Sequence, residues 1–475
     1  MFNKIKNILS TSAFARDFKN YALGDVLTKA ISIISIAIFT RILSVEDYGI
    51  YSVYNTSIAC LVIILTLCSH MAVSRYYFEK QEDFASFVTL SLISSILLVS
   101  CCLPIVYFFK EQLFDFLNLP SSLIIFIYPA LIIAIITSIF AQVYSSERKS
   151  GSLTVVELFK TYLTFFTSLI LLWYVEKNYV SLIEGALLVG SVISIFMLYK
   201  LRYLFVRNFK MQHLIYIILF SIPLIPYHLS SLLLQQVDKI MINAQLGNYE
   251  SGLYSFAVNI GMLYLMFTAL VLRAFAPDYF NLMNERQYTQ LDKTILRIFQ
   301  IYIIVALSLI YFGKEVAFIL ADEKFAKATN IIPIIISGYV FFSIFEIYGR
   351  NSIYANKTIY SSMNVLIPGV INIGLNNVLI EKIGYMGAAY ATLISYMLMA
   401  MIAYLISVYI IKIHSFSLRR LMSPMCFYIG SVGIYYVLSS LNISSSIFFL
   451  AKFFVFCLMV VLLIRGVLKV GQDVQ

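Results

Sequence analysis

Charged side chains are scarce in this sequence, and several of those present stand inside apolar runs at helical spacing. Asp25 and Lys29 are four residues apart, Glu157 and Lys160 three, and Glu346 and Arg350 four, so each pair falls on one face of a helix. An ionisable group at the centre of a membrane helix costs at least about 2.5–3.5 kcal/mol, so each must meet a partner or a wet cavity. The chemistry open to them is reversible anion binding by the cations, with the carboxylates neutralising those cations or exchanging protons. Asp25 and Lys29 read equally as a simple pair near one end of their helix, although Lys29 lies roughly 12 Å into it at 1.5 Å per residue. Arg350 closes its run and is expected to face a loop. Arg273 either snorkels to the lipid headgroups or faces a cavity.

The elements that carry these residues follow from composition. Of 475 residues, 61% are hydrophobic and 12% charged, against roughly a quarter charged in soluble domains. The apolar residues fall in runs of about 20, each long enough to cross a hydrocarbon core as a helix. The fold class expected is an all-α integral membrane protein of about fourteen transmembrane helices. Six lie within 21–199 and six within 214–410, joined by a basic linker at 200–213. Two additional helices and a tail occupy 411–475, and residues 1–20 form an amphipathic lead-in.

The net charge of +10 is spread over short loops, most of it on one side of the predicted spans. That is the positive-inside asymmetry of a multi-pass protein with both termini cytoplasmic, and it gives no reason to expect nucleic acid. The longest connections, 277–293 and 313–328, are too short for a soluble catalytic domain. The six cysteines read as small buried hydrophobes, and His70, His213, His228 and His414 are far apart in sequence. No metal, cofactor or catalytic set is expected, and the chain does not read as an enzyme.

A turn recurs. DYGIYSVYN begins at Asp47 and ESGLYSFAVN at Glu250, so that Gly49, Tyr51 and Ser52 fall on Gly252, Tyr254 and Ser255. A weaker echo pairs SERK near Lys149 with YANK near Lys357. Each lies at a matching place within its six-span half, so the halves read as parallel repeats around a central cavity, an architecture that suits alternating access. Arg273 then takes the repeat position of His70. Span seven contains Pro223, Pro226 and His228, and prolines that break a span free carbonyls to line a cavity. Asn364, Asn372, Asn376 and Asn377 on span eleven serve either helix–helix hydrogen bonding or contact with what the cavity carries.

The stretch LGDVLTKAISIISIAIFTRILSVEDYGIYSVYN resembles the opening of the polysaccharide-transporter branch of the multidrug/oligosaccharidyl-lipid/polysaccharide exporter superfamily. SHMAVSRYYFEK, SIPLIPYHLSSLLLQQVDKIMI and YMGAAYATLIS resemble its second, seventh and twelfth helices. The resemblance implies a Wzx-type flippase of the bacterial inner membrane. Such a protein carries undecaprenyl-diphosphate-linked oligosaccharide to the periplasmic leaflet for O-antigen, capsule or exopolysaccharide assembly. Under it Lys29, Lys160 and Arg273 are the candidate cations for the diphosphate. Asp25, Glu157 and Glu346 are the acids that would balance them or couple transport to H+ or Na+. Membrane lipids, a polysaccharide polymerase and a chain-length regulator are the implied partners. A drug or metabolite exporter of the same superfamily is the main alternative; a membrane glycan polymerase fits less well, because a large periplasmic loop is missing.

Overall fold

A computed structural model describes residues 13–79, 83–206, 210–355, 357–413, 416–441 and 445–472. Residues 1–12 of the expected lead-in, and His414, lie outside them. Among the described residues every regular element is a helix. In lipid, backbone N–H and C=O groups must be satisfied internally, and apolar runs of this length satisfy them as helices. Among the described residues twelve helices are long and apolar enough to cross a membrane. A pair bent by 47°, Met211–Leu224 with His228–Leu246, makes a thirteenth as one span, and the shorter apolar helix Ile447–Leu463 stands where the fourteenth is expected.

The contacts divide the chain into two units, 1–252 and 253–475. The first contains α1 (Ala13–Ile42), α2 (Val45–Leu65), α3 (Ser69–Glu79), α4 (Phe84–Phe108), α5 (Lys110–Leu117), α6 (Ile124–Ser146), α7 (Ser150–Tyr174), α8 (Tyr179–Leu201), α9 (Met211–Ser221) and α10 (Ile225–Leu246). It ends with the first turn of α11 (Asn248–Asn284). Ser44 caps α2 by accepting from the Asp47 N–H at 2.9 Å, and Asn178 caps α8 in the same way from Val180 at 3.0 Å. Gly247, at φ +100°, ends α10 and lets the chain reverse into α11.

Span two differs from its expected form. It is broken between α2 and α3, where Leu67 and Cys68 take φ of 52° and 54°. No proline or glycine marks this break, and the left-handed residues let Ser69 pack its hydroxyl on Ser95 of α4 at 2.7 Å. The cysteines also differ from expectation. Cys68 is buried, whereas Cys101, Cys426 and Cys457 are exposed on the outer faces of helices.

The second unit holds the rest of α11, α12 (Tyr288–Tyr311), α13 (Gly313–Leu320), α14 (Ile332–Tyr354), α15 (Thr358–Ile383), α16 (Tyr385–Leu405), α17 (Leu418–Ser440) and α18 (Ser445–Gln472). Its internal pairing repeats that of the first. α6 and α7 both pack on α8, and α14 and α15 both pack on α16. The eight-residue amphipathic helices α5 and α13 follow the third and ninth spans. α13 therefore lies within 313–328, one of the two longest connections between expected spans.

The additional helices α17 and α18 pack on α12. Lys452 of α18 is 1% exposed, and its ammonium meets Glu315 Oε1 of α13 at 2.6 Å beside the rings of Phe312, Phe448 and Phe449. Glu315→Ala strands that ammonium. The expected cost is about 2–3 kcal/mol, below the usual figure for a buried pair because the carboxylate is a third exposed. Lys452→Met removes the charge and keeps the volume, so it should lower the melting temperature in detergent by less. Equal losses in the two variants would show that the pair contributes packing alone.

Candidate functional site

In the first unit the crossing of α1 with α7 brings together charges that the sequence places far apart. The helices touch closely at Gly24, where a β-carbon would stand 2.5 Å from Thr154 Cγ2. Asn20 Nδ2 donates to Ser150 Oγ at 3.1 Å, and Tyr162 donates to the Leu27 carbonyl at 3.4 Å. This approach puts Asp25 of α1 within electrostatic reach of Glu157 of α7, which also attracts Lys160 one turn along. Lys160 is half-buried and donates to Thr137 Oγ1 of α6 at 3.2 Å. Asp25 and Lys29 are half-buried as well, and Glu157 is exposed. Two carboxylates held near each other by helix packing need cations nearby, and an incoming anion would compete for those same cations.

The bent span seven belongs to this unit. Pro223 lies in the break between α9 and α10, a single 3-10 turn over Ile222–Leu224, and Pro226 stands in the first turn of α10. His228, in the first turn of α10, lies within electrostatic reach of His70, which stands two residues after the break in span two. Both interrupted spans thus carry a histidine to one place. Nothing in the sequence spacing of the two residues joins them.

Two charged residues on α10 were missed entirely. Asp238 and Lys239 are 3% and 7% exposed, among the most buried charges of the described residues. Being adjacent, they point to different faces and do not read as a pair, yet they interact electrostatically. The rule that flags ionisable residues inside spans would have found them.

In the second unit Arg350 departs from the loop-facing position expected of it. Its Nη2 donates to the Leu272 carbonyl at 2.9 Å, and its charge balances that of Glu346. The fork of the guanidinium permits both interactions, which explains why it turns inward. Leu272 immediately precedes Arg273, itself exposed. Deeper in this unit a polar chain runs from the Tyr279 hydroxyl to Asn351 Oδ1, from Asn351 Nδ2 to Ser407 Oγ at 2.6 Å, and from Ser407 to the Ile413 carbonyl at 3.0 Å. A cleft of about 380 Å³ opens beside Tyr288, Tyr404 and Phe416, with Arg420 and Asp292 paired at 2.5 Å along its wall.

The span-eleven asparagines divide. Asn376 donates to Asn372 at 3.0 Å within α15, and Asn372 donates to Thr392 of α16 at 3.5 Å, the one of the two bonds that joins helix to helix. Asn377 is exposed. Among the described residues, Lys29, Lys160, Asp25 and Glu157 share one unit, and Arg273 and Glu346 share the other.

The family described as polysaccharide biosynthesis protein matches residues 14–277. The chain is 21% identical over 374 residues to the Lsg locus protein 1 of Haemophilus influenzae, covering 73% of this chain and 88% of that one. Among solved structures it is similar to the lipid II flippase MurJ in an inward closed conformation. There the TM-score is 0.70 at 16% identity, with 94% of this chain and 97% of the other covered. It is similar also to an inward-facing multidrug resistance MATE family transporter of the MOP superfamily, with a TM-score of 0.66 at 16% identity and coverage of 82% and 94%. Both likenesses establish the transporter-type fold.

Proposed function

We propose, from the premise that the chain belongs to the polysaccharide biosynthesis protein family, that it is a flippase for polyprenyl-diphosphate-linked oligosaccharide. Its place is the bacterial inner membrane, both termini are cytoplasmic, and it works by alternating access. The observation that carries this reading is the charge cluster of Asp25, Glu157 and Lys160 at the crossing of two membrane helices. A diphosphate is multiply charged and must leave water. It needs cations that hold it strongly enough to enter and that are already balanced when it departs. In the first unit Lys29 and Lys160 supply cations and Asp25 and Glu157 the balance; in the second unit Arg273 is the candidate cation, and the acid Glu346 is held by Arg350.

The carboxylates also leave room for coupling to H+ or Na+, and the likeness to a multidrug transporter supports the second reading, an ion-coupled exporter of amphiphiles. The two separate in cells that lack the protein. A flippase predicts intact lipid-linked units held in the cytoplasmic leaflet, loss of surface glycan and unchanged drug sensitivity. An exporter predicts normal glycan and raised drug sensitivity.

A further inference from the structure

The repeated turn does more than mark two halves, because its two copies touch. α2 begins at Val45 and α11 at Asn248, and the first turns of these helices cross inside the first unit. A β-carbon on Gly49 would stand 2.1 Å from the carbonyl oxygen of Asn248. One on Gly252 would stand 2.1 Å from the carbonyl oxygen of Val45. The same number of positions separates Val45 from Asn248 as separates Gly49 from Gly252, so the two contacts are equivalent under the repeat. Neither glycine has a positive φ. Both are buried within regular helix, and what these positions require is room for another backbone.

Such packing is open to glycine alone, and it sets Cα–H groups against carbonyls in both directions. Tyr48, Ile50, Ser251 and Leu253 flank the crossing and are buried, so water is kept from it. Each Cα–H···O contact is worth only about 0.5–1 kcal/mol, so parting the two backbones at these contacts costs little.

We propose that Gly49 and Gly252 form a backbone-to-backbone latch that shuts the non-cytoplasmic end of the transport path, closed in this structure and parted when that end opens. The inference rests on the transport reading and the orientation given above. It assigns the closure to two residues whose only chemistry is the absence of a side chain. A methyl group at either position forces the helix starts apart, and the alternative state gains population accordingly.

The test uses Glu46→Cys and Tyr249→Cys, the residues that follow Val45 and Asn248, in full-length protein whose six native cysteines have been replaced. Spin labels on this pair in lipid nanodiscs report the separation without substrate. Native glycines should give one short distance. Gly49→Ala and Gly252→Ala should each shift the balance toward a longer distance by about tenfold, and together by more. An unchanged distribution in both variants overturns the latch, as does labelling of Glu46→Cys by an impermeant thiol reagent from the cytoplasmic side. If the alanine variants fail to fold, the pair is instead bridged on native glycines with a short bismaleimide. Bridged protein should lose transport, and bridged protein that transports at the parental rate overturns the proposal. The distance shift needs no substrate, so a failed flippase reading and a failed latch give different results.

Discussion

Lys160→Gln is expected to lower flipping of a labelled polyprenyl-diphosphate oligosaccharide by about tenfold to a hundredfold, the equivalent of one charge-assisted hydrogen bond worth roughly 1.5–3 kcal/mol. The ammonium is half-buried, so water offsets little of the loss, and its protein partners at rest are the neutral hydroxyl of Thr137 and the carboxylate of Glu157. On the proposed flippase reading, a diphosphate should outcompete both. The variant Thr137→Val removes the neutral partner alone and should cost less than about threefold. The double variant Glu157→Gln with Lys160→Gln decides the role of the cation. If Lys160 only balances Glu157, removing both restores transport, because no carboxylate is left uncompensated beside Asp25. If Lys160 holds the phosphate, the double variant stays as slow as the single one.

Arg350→Gln is the second large effect, and it is expected in stability before transport. The change removes a charged hydrogen bond to the Leu272 carbonyl and leaves Glu346 half-buried without its balancing charge. A loss of about 2–3 kcal/mol follows, read as a lower melting temperature in detergent. Arg350→Lys should recover only part of it, because a single ammonium cannot divide itself between a carbonyl and a carboxylate as a guanidinium does. Full recovery by lysine, or by pairing Arg350→Gln with Glu346→Gln, would reduce the role of Arg350 to charge balance and leave the bond to Leu272 without weight.

Much of this arrangement was legible because membrane helices follow few rules. Apolar run length gave the spans, and the spacing of Gly49 and Gly252 gave the repeat that the packing of α6 to α8 and α14 to α16 displays. Apart from the adjacent Asp238 and Lys239, the illegible features share a cause, since each depends on a neighbour from a distant part of the chain. The break after Leu65 has no proline or glycine, and what holds it is packing, including the Ser69–Ser95 bond to α4. Lys452 sits alone in an apolar run, and its partner Glu315 lies in a stretch that reads as a loop. Asp238 and Lys239 are adjacent, a spacing that conceals an interaction. Arg350 looks like a boundary cation until the Leu272 carbonyl is placed beside it. The candidate cations were found by the cost of charge in lipid, whereas the approach of Asp25 to Glu157 required the close crossing at Gly24.

Reconstituted transport tests the central claim most directly. Purified protein in liposomes is given a polyprenyl-diphosphate oligosaccharide labelled on its sugar, and an impermeant reagent reads how much label has reached the other leaflet. The account predicts translocation well above that of protein-free liposomes, and its reduction in the Lys160→Gln variant. It is contradicted if the lipid-linked sugar stays in its leaflet while the same liposomes move a cationic amphiphile down an imposed proton or sodium gradient.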